Sequence, residues 1–174
     1  MTKVTYGKWF DVKEKSFDIV SVVNGEIVFK VHPDKNVMRS LIIKLKDNLI
    51  AQAEHVVELE TEHIINDGTY TRKLHIPKGT ILVGKIHKLS CVNIVAKGDI
   101  TVMTVNGVAR ALAGDTAISE VGTQKVGFAH EDTIFLNVFR TNKTTIEEIE
   151  NEIACESYDF LALPQEKQGA LLCQ

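Results

Sequence analysis

Between residues 55 and 139 the hydrophobic positions fall in short runs rich in β-branched or aromatic residues, at 56–59, 70–76, 92–96, 100–105, 108–112, 125–128 and 133–139. Turn signals separate the runs at Asn66-Asp67-Gly68, Pro77-Lys78-Gly79, Lys97-Gly98, Asn106-Gly107, Gly114-Asp115 and Gly122-Thr123. Many short strands at this spacing predict an antiparallel sandwich or barrel rather than a βαβ sheet.

The two ends follow other patterns. Apolar runs at 16–23 and 26–31 flank Asn24-Gly25, a pair suited to the positive φ angles of a tight hairpin turn, so a β-hairpin is predicted there. His32-Pro33-Asp34 stops the second strand. Asp34 or Asn36 then caps a helix in which Met38, Leu41, Ile42, Leu45 and Leu49 recur close to every 3.6 residues, ending near 52–54. Residues 1–54 therefore read as a separate small unit of hairpin plus helix, with oligomerisation as its expected use. The barrel takes 55–142. In 143–174, Thr144 to Glu148 offer a capping box, and Ile146, Ile149 and Ile153 line one side of a short helix expected to pack outside the barrel. The stretch 163–174, with Pro164 and Gly169, is expected to be a frayed tail whose Leu171 and Leu172 can dock on a partner subunit.

A chain of 174 residues with 44% hydrophobic and 25% charged residues can bury one sizeable core. Its net charge of -3 creates no global field for nucleic acid or an anionic membrane, so anion binding needs a local cluster. Aromatics make up 6% of residues and are not interleaved with a basic stripe, which removes the usual nucleic-acid signature. Cys91, Cys155 and Cys173 are odd in number and far apart, fitting neither a disulfide framework nor a structural zinc site, and are expected to be reduced thiols. The first residues lack an apolar signal core, and no run approaches the ~18 apolar residues of a membrane span. Secretion and membrane insertion are not expected.

No Ser/His/Asp or Cys/His arrangement stands out, and no catalytic residue is assigned. If strands 70–76 and 125–128 border one cavity, Arg72, Lys85, His87, Lys88 and Lys125 bring several donors together, suited to phosphate or carboxylate. Tyr70 is then placed to stack on a base or sugar and Asn93 to bond its edge. In the competing reading the lysines alternate along their strands and face water, and the His87 ring is satisfied by backbone groups at a strand end. His130, beside Glu131 and Asp132, is either a base held by a carboxylate or part of a solvated turn. The candidate ligand-binding set is Tyr70, Arg72, Lys85, His87, Asn93, Lys125 and His130.

Residues 72–80 (RKLHIPKGT), 84–87 (GKIH), 93–98 (NIVAKG) and 122–133 (GTQKVGFAHEDT) together resemble small cupin-like proteins encoded by tailed bacteriophages, most of them without an assigned activity. The resemblance covers roughly residues 55–155. It implies a mainly β chain with a cupin-like antiparallel barrel (a small jelly roll), a phage origin and expression in the cytoplasm of a bacterial host. Metal-binding cupins carry two histidines one residue apart, a carboxylate a few residues on and a third histidine from a later strand. Aligned on Gly79 and Gly98, those positions hold Lys85, His87, Cys91 and a residue near Lys125, so one ligand of four is kept. No metal or other cofactor is expected; if a metal binds, His87 is its ligand.

The resulting expectation is a non-catalytic barrel that captures a small anionic molecule, such as a nucleotide signal made by host defence. The alternatives are a metal-dependent cupin enzyme and a virion or assembly accessory protein. A homo-oligomer joined through sheet edges, with the N-terminal hairpin adding strands, is expected.

Overall fold

The computed structural model of the chain describes residues 5–8, 17–23, 26–52 and 59–162. In chain order the strands are β1 (Thr5–Lys8), β2 (Val20–Val23), β3 (Glu26–Phe29), β4 (Thr61–Asn66), β5 (Thr69–Ile76), β6 (Thr80–Val83) and β7 (Ile86–His87). They continue with β8 (Cys91–Lys97), β9 (Asp99–Thr104), β10 (Gly107–Leu112), β11 (Thr116–Ser119), β12 (Val126–Ala129), β13 (Thr133–Arg140) and β14 (Ala154–Cys155). Helix α1 (Lys35–Gln52) follows β3, α2 (Ile146–Ile153) follows β13, and a 3-10 turn covers Tyr158–Ala162.

Two antiparallel five-stranded sheets, ordered β1-β6-β12-β9-β10 and β11-β8-β13-β5-β4, face each other. Strict alternation sets the facing surface: on β5 Tyr70, Arg72, Leu74 and Ile76 are buried, and on β13 Phe135, Asn137 and Phe139 are. Leu74, Val95 and Phe135 of one sheet pack with Leu82, Ile100 and Ala129 of the other. The chain is mainly β, and its small jelly roll has the expected cupin-like form, as two stacked sheets rather than one closed ring.

Helix α1 forms where the apolar spacing predicts it, and the Asp34 carboxylate caps it by accepting from the amides of Asn36 at 2.8 Å and Val37 at 3.2 Å. Its buried stripe of Met38, Ile42, Leu45 and Leu49 lies on the outer face of β6, β9 and β12, against Ile81, Val83, Met103 and Val126. The described part of the N-terminal third thus shares a core with the jelly roll. This burial also explains why β6 shows no alternation: Thr80, Ile81, Leu82 and Val83 are all buried, with a layer on each side. Strands β2 and β3 pair from Val20↔Phe29 to Val23↔Glu26, while Asn24 and Gly25 lie outside the described residues.

Thr145 caps α2 by accepting from the Glu148 amide at 3.4 Å. Ile149 and Ile153 are buried as expected, but Ile146 is 41% exposed and Glu150 takes the third inward position because it has a charged partner below. Pairing of β14 with β7 ties the end of α2 across one end of the jelly roll. The run at 56–59 falls largely outside the described residues, as does the tail from 163 on. Strands β1, β4, β6, β7, β11 and β14 add to those the spacing predicts.

Candidate functional site

The inner face of the β4-containing sheet carries a polar row. Arg72 of β5, Asn137 of β13 and Asn93 of β8 are direct cross-strand neighbours. One position toward α2 the row is apolar, Tyr70 beside Phe139; on the other side it is apolar again, Leu74, Phe135 and Val95. Side chains on neighbouring strands in register stand within reach of one another, so the polar groups form a belt between two apolar layers. Alternation along the facing sheet puts Lys125 on the same inner side as Gly127 and Ala129, while Val126, Phe128 and His130 point outward.

The belt is hydrogen-bonded in one consistent direction. The Lys125 ammonium donates to His87 Nε2 at 3.3 Å, which leaves the ring proton on Nδ1, 3.4 Å from Cys91 Sγ. The Cys91 thiol donates to Asn93 Oδ1 at 3.6 Å, and Asn137 Nδ2 donates to the same oxygen at 2.7 Å. Asn93 Nδ2 in turn donates to Ser119 Oγ at 2.8 Å and to the Ala117 carbonyl at 3.1 Å. Arg72 Nη2 donates to Asn137 Oδ1 at 3.4 Å, and its Nη1 reaches both Glu150 oxygens at 3.2 Å. Tyr70 donates to Glu150 Oε1 at 2.9 Å. Arg72 Nε is buried with no partner.

Burial, then the Lys125 and Arg72 charges, push His87 down to about 2, so its ring is neutral. Burial pushes Lys125 down to about 8, leaving it mostly charged at neutral pH, and pushes the Cys91 thiol up. Among the described residues Arg72 is paired with Glu150 and Lys85 with Glu156, at 3.6 Å, whereas Lys125 is in no ion pair.

Two hollows meet at Lys125. A cleft of about 340 Å³ has apolar walls of Val95, Val102, Val108 and Phe135, with Asn93 and Ser119 among its polar groups. An inner cavity of about 40 Å³ is bordered by Arg72, His87, Lys125 and Asn137. Strands 70–76 and 126–129 border this inner cavity.

The structure brings Arg72, His87, Asn93 and Lys125 together and treats the other candidates differently. Tyr70 is fully buried, its ring stacked with Phe139 at 6.3 Å and His63 at 5.9 Å, so no face is open to a ligand. Lys85 borders the inner cavity, but its amine is turned to Glu156. His130 stands outside the cluster, on the outward side of its strand, with Nε2 2.7 Å from Thr101 Oγ1 and the ring edge-on to Phe128. The Asn93 amide is saturated by protein partners.

Sequence reasoning missed Asn137, Ser119 and Glu150. Asn137 was open to detection, because it shares parity with Phe135 and Phe139 on β13; the His87–Cys91 contact joins two positions that the alignment on the cupin glycines puts in one site. Cys91 is 4% exposed, its thiol is held protonated and it does not border the cleft, so it is no nucleophile. A divalent metal does not fit this donor set. Among the described residues no group of three or more His, Cys, Asp or Glu side chains converges, and an ammonium sits against His87 Nε2.

No protein-family model and no curated protein matches the chain. Among solved structures, it is similar to an RmlC-like cupin from Shewanella frigidimarina, at 19% identity and a TM-score of 0.44, covering 52% of this chain and 80% of that one. KdgF from Halomonas sp. is 15% identical with a TM-score of 0.45, covering 51% and 86%. A Cupin 2 conserved barrel domain protein from Salinispora arenicola is 13% identical with a TM-score of 0.42, covering 48% and 76%.

Proposed function

We propose that this chain is a non-catalytic, cupin-like binding protein that holds a small anionic molecule in the 340 Å³ cleft, anchored by the Lys125 ammonium. The observation that carries this reading is the absence of an ion-pair partner for Lys125 among the described residues, although burial disfavours its charge. A desolvated ammonium gains from a counter-ion, and a ligand phosphate or carboxylate supplies one. The cleft falls within the size range of small-molecule sites, and its apolar walls suit a ring or base.

In its fuller form the ligand is a nucleotide signal of host defence. The chain is then a phage protein working in the cytoplasm of the bacterial host, as a homo-oligomer joined through sheet edges and its segment 1–54. The resemblance to phage proteins supports this, as does a net charge of -3 that gives no purchase to nucleic-acid polymers. Among the described residues no helix is long and apolar enough to cross a membrane.

Isothermal titration with nucleoside monophosphates and cyclic nucleotides tests the site. Lys125→Ala is expected to weaken binding by about 10-fold to 100-fold, the worth of one charge-assisted hydrogen bond. Equal binding by the variant overturns the reading. Unchanged infection of a signalling-competent host by phage carrying Lys125→Ala and His87→Ala overturns the host-defence part.

A further inference from the structure

We infer that Lys125 is also a covalent anchor: its amine condenses with an aldehyde or ketone carbonyl of the small molecule in the cleft and forms an imine. The inference rests on the binding reading in that it puts the ligand against the same residue.

Position comes first. Lys125 borders both the 340 Å³ cleft and the inner cavity, and its amine is held by His87 Nε2 at 3.3 Å, a residue of the inner cavity wall. Lys85, which shares the inner cavity, is committed to Glu156, as is Lys46; elsewhere Lys73 pairs with Glu62 and Lys88 Nζ donates to the Asn151 carbonyl at 2.6 Å. Among the described residues Lys125 has His87 Nε2 as its partner, and that nitrogen can accept one N–H from the ammonium or, more weakly, from the free amine. Loss of the proton therefore breaks no ion pair and leaves the amine held by one N–H, with its lone pair turned from the ring.

The electrostatics favour the same chemistry. With Lys125 pushed down to about 8 by burial, about a tenth of it is uncharged at pH 7, against less than about a thousandth of an ordinary lysine. A lysine desolvated in an apolar pocket is a recognised route to imine formation. The step balances without a co-reactant. The ammonium first loses one proton to solvent; the amine lone pair then forms the C–N bond as the carbonyl π pair moves to oxygen. That oxygen takes the two protons remaining on nitrogen and leaves as water, giving C=N with no net oxidation. Val95, Val102 and Phe135 supply apolar wall beside it.

The test uses the full chain, glyoxylate as carbonyl probe and borohydride to fix the imine as carboxymethyl-lysine, followed by peptide mapping. At limiting glyoxylate and pH 7.5, Lys125 is expected to be labelled at least about tenfold more than Lys44 or any other lysine, as its larger uncharged fraction implies. Lys125→Arg is expected to lose that label, and glycolate, which lacks the aldehyde, is expected to bind the unaltered chain without any label. Uniform labelling of surface lysines, or a spared Lys125, overturns the covalent anchor; glycolate binding without the label leaves the anion site standing. Labelling of Lys125 by both glyoxylate and uncharged benzaldehyde, with no glycolate binding, supports the imine and removes the anion reading.

Discussion

Lys125 Nζ lies 3.3 Å from His87 Nε2, and this contact makes Nε2 the acceptor and puts the ring proton on Nδ1. A protonated imidazole there would face an ammonium at hydrogen-bond distance in a half-dry cavity. Burial, then the Lys125 and Arg72 charges, instead hold His87 neutral, and its Nε2 lone pair accepts from the Lys125 amine beside the inner cavity.

Anion binding is expected to fade as pH rises through about 8, where burial places the Lys125 titration, rather than near the usual lysine value. A pH series of binding isotherms for inorganic phosphate, which itself keeps at least one charge throughout, checks this. Affinity that holds unchanged to pH 10 removes Lys125 from the site.

Acid is expected to destabilise the fold through His87. Its folded value of about 2 lies below the unfolded 6.5, so the unfolded chain binds more protons below pH 6.5. Stability is full above that pH and is lost toward pH 2, by up to about 1.4 kcal/mol per pH unit from this group. The lowered carboxyls of Glu62, Asp99 and Glu156 act in the same direction. Urea denaturation between pH 4 and 7 is expected to show a shallower slope for His87→Phe than for the unaltered chain; equal slopes assign the acid loss to the carboxylates alone.

Glu150 is the most consequential residue of α2, since Arg72 Nη1 and the Tyr70 hydroxyl both depend on it in a buried setting. Glu150→Ala leaves the guanidinium uncompensated and is expected to cost about 3–5 kcal/mol by chemical denaturation. Replacing the pair together, Arg72→Met with Glu150→Leu, is expected to cost much less. Additive losses contradict a coupled pair.

The alternation of β5, β8 and β13, the periodicity of α1 and the turn signals were legible because each needs a few neighbouring residues. Met38, Ile42, Leu45 and Leu49 were marked by spacing and are buried, and Arg72, His87, Asn93 and Lys125 do converge. What was not legible depends on long-range pairing. A sequence does not show that Arg72 and Lys85 meet Glu150 and Glu156, about 70 to 80 positions away, and these pairings leave Lys125 as the uncompensated amine. Tyr70 and His130 were misplaced for a related reason: which layer covers a face decides whether an aromatic ring is open or sealed. Ile146 was assigned inward by spacing alone, whereas a buried carboxylate partner claimed the next turn for Glu150.

Two glycines separate strain from crowding. Gly79 at φ +76° has open space where a Cβ would stand, whereas Gly98 at φ +88° would put one 2.6 Å from the Asp132 carbonyl oxygen and 2.8 Å from Thr133 Cα. Gly79→Ala is expected to cost about 1 kcal/mol, from the left-handed backbone alone. Gly98→Ala is expected to cost clearly more, and matching losses in thermal melts contradict the close approach of these two backbones.

Native mass spectrometry of the chain, purified gently from a bacterial host beside its Lys125→Met variant, tests the binding site most directly. The expected result is a small organic anion retained by the unaltered protein, without metal, and absent from the variant. A stoichiometric divalent metal, or an adduct that survives loss of Lys125, contradicts it.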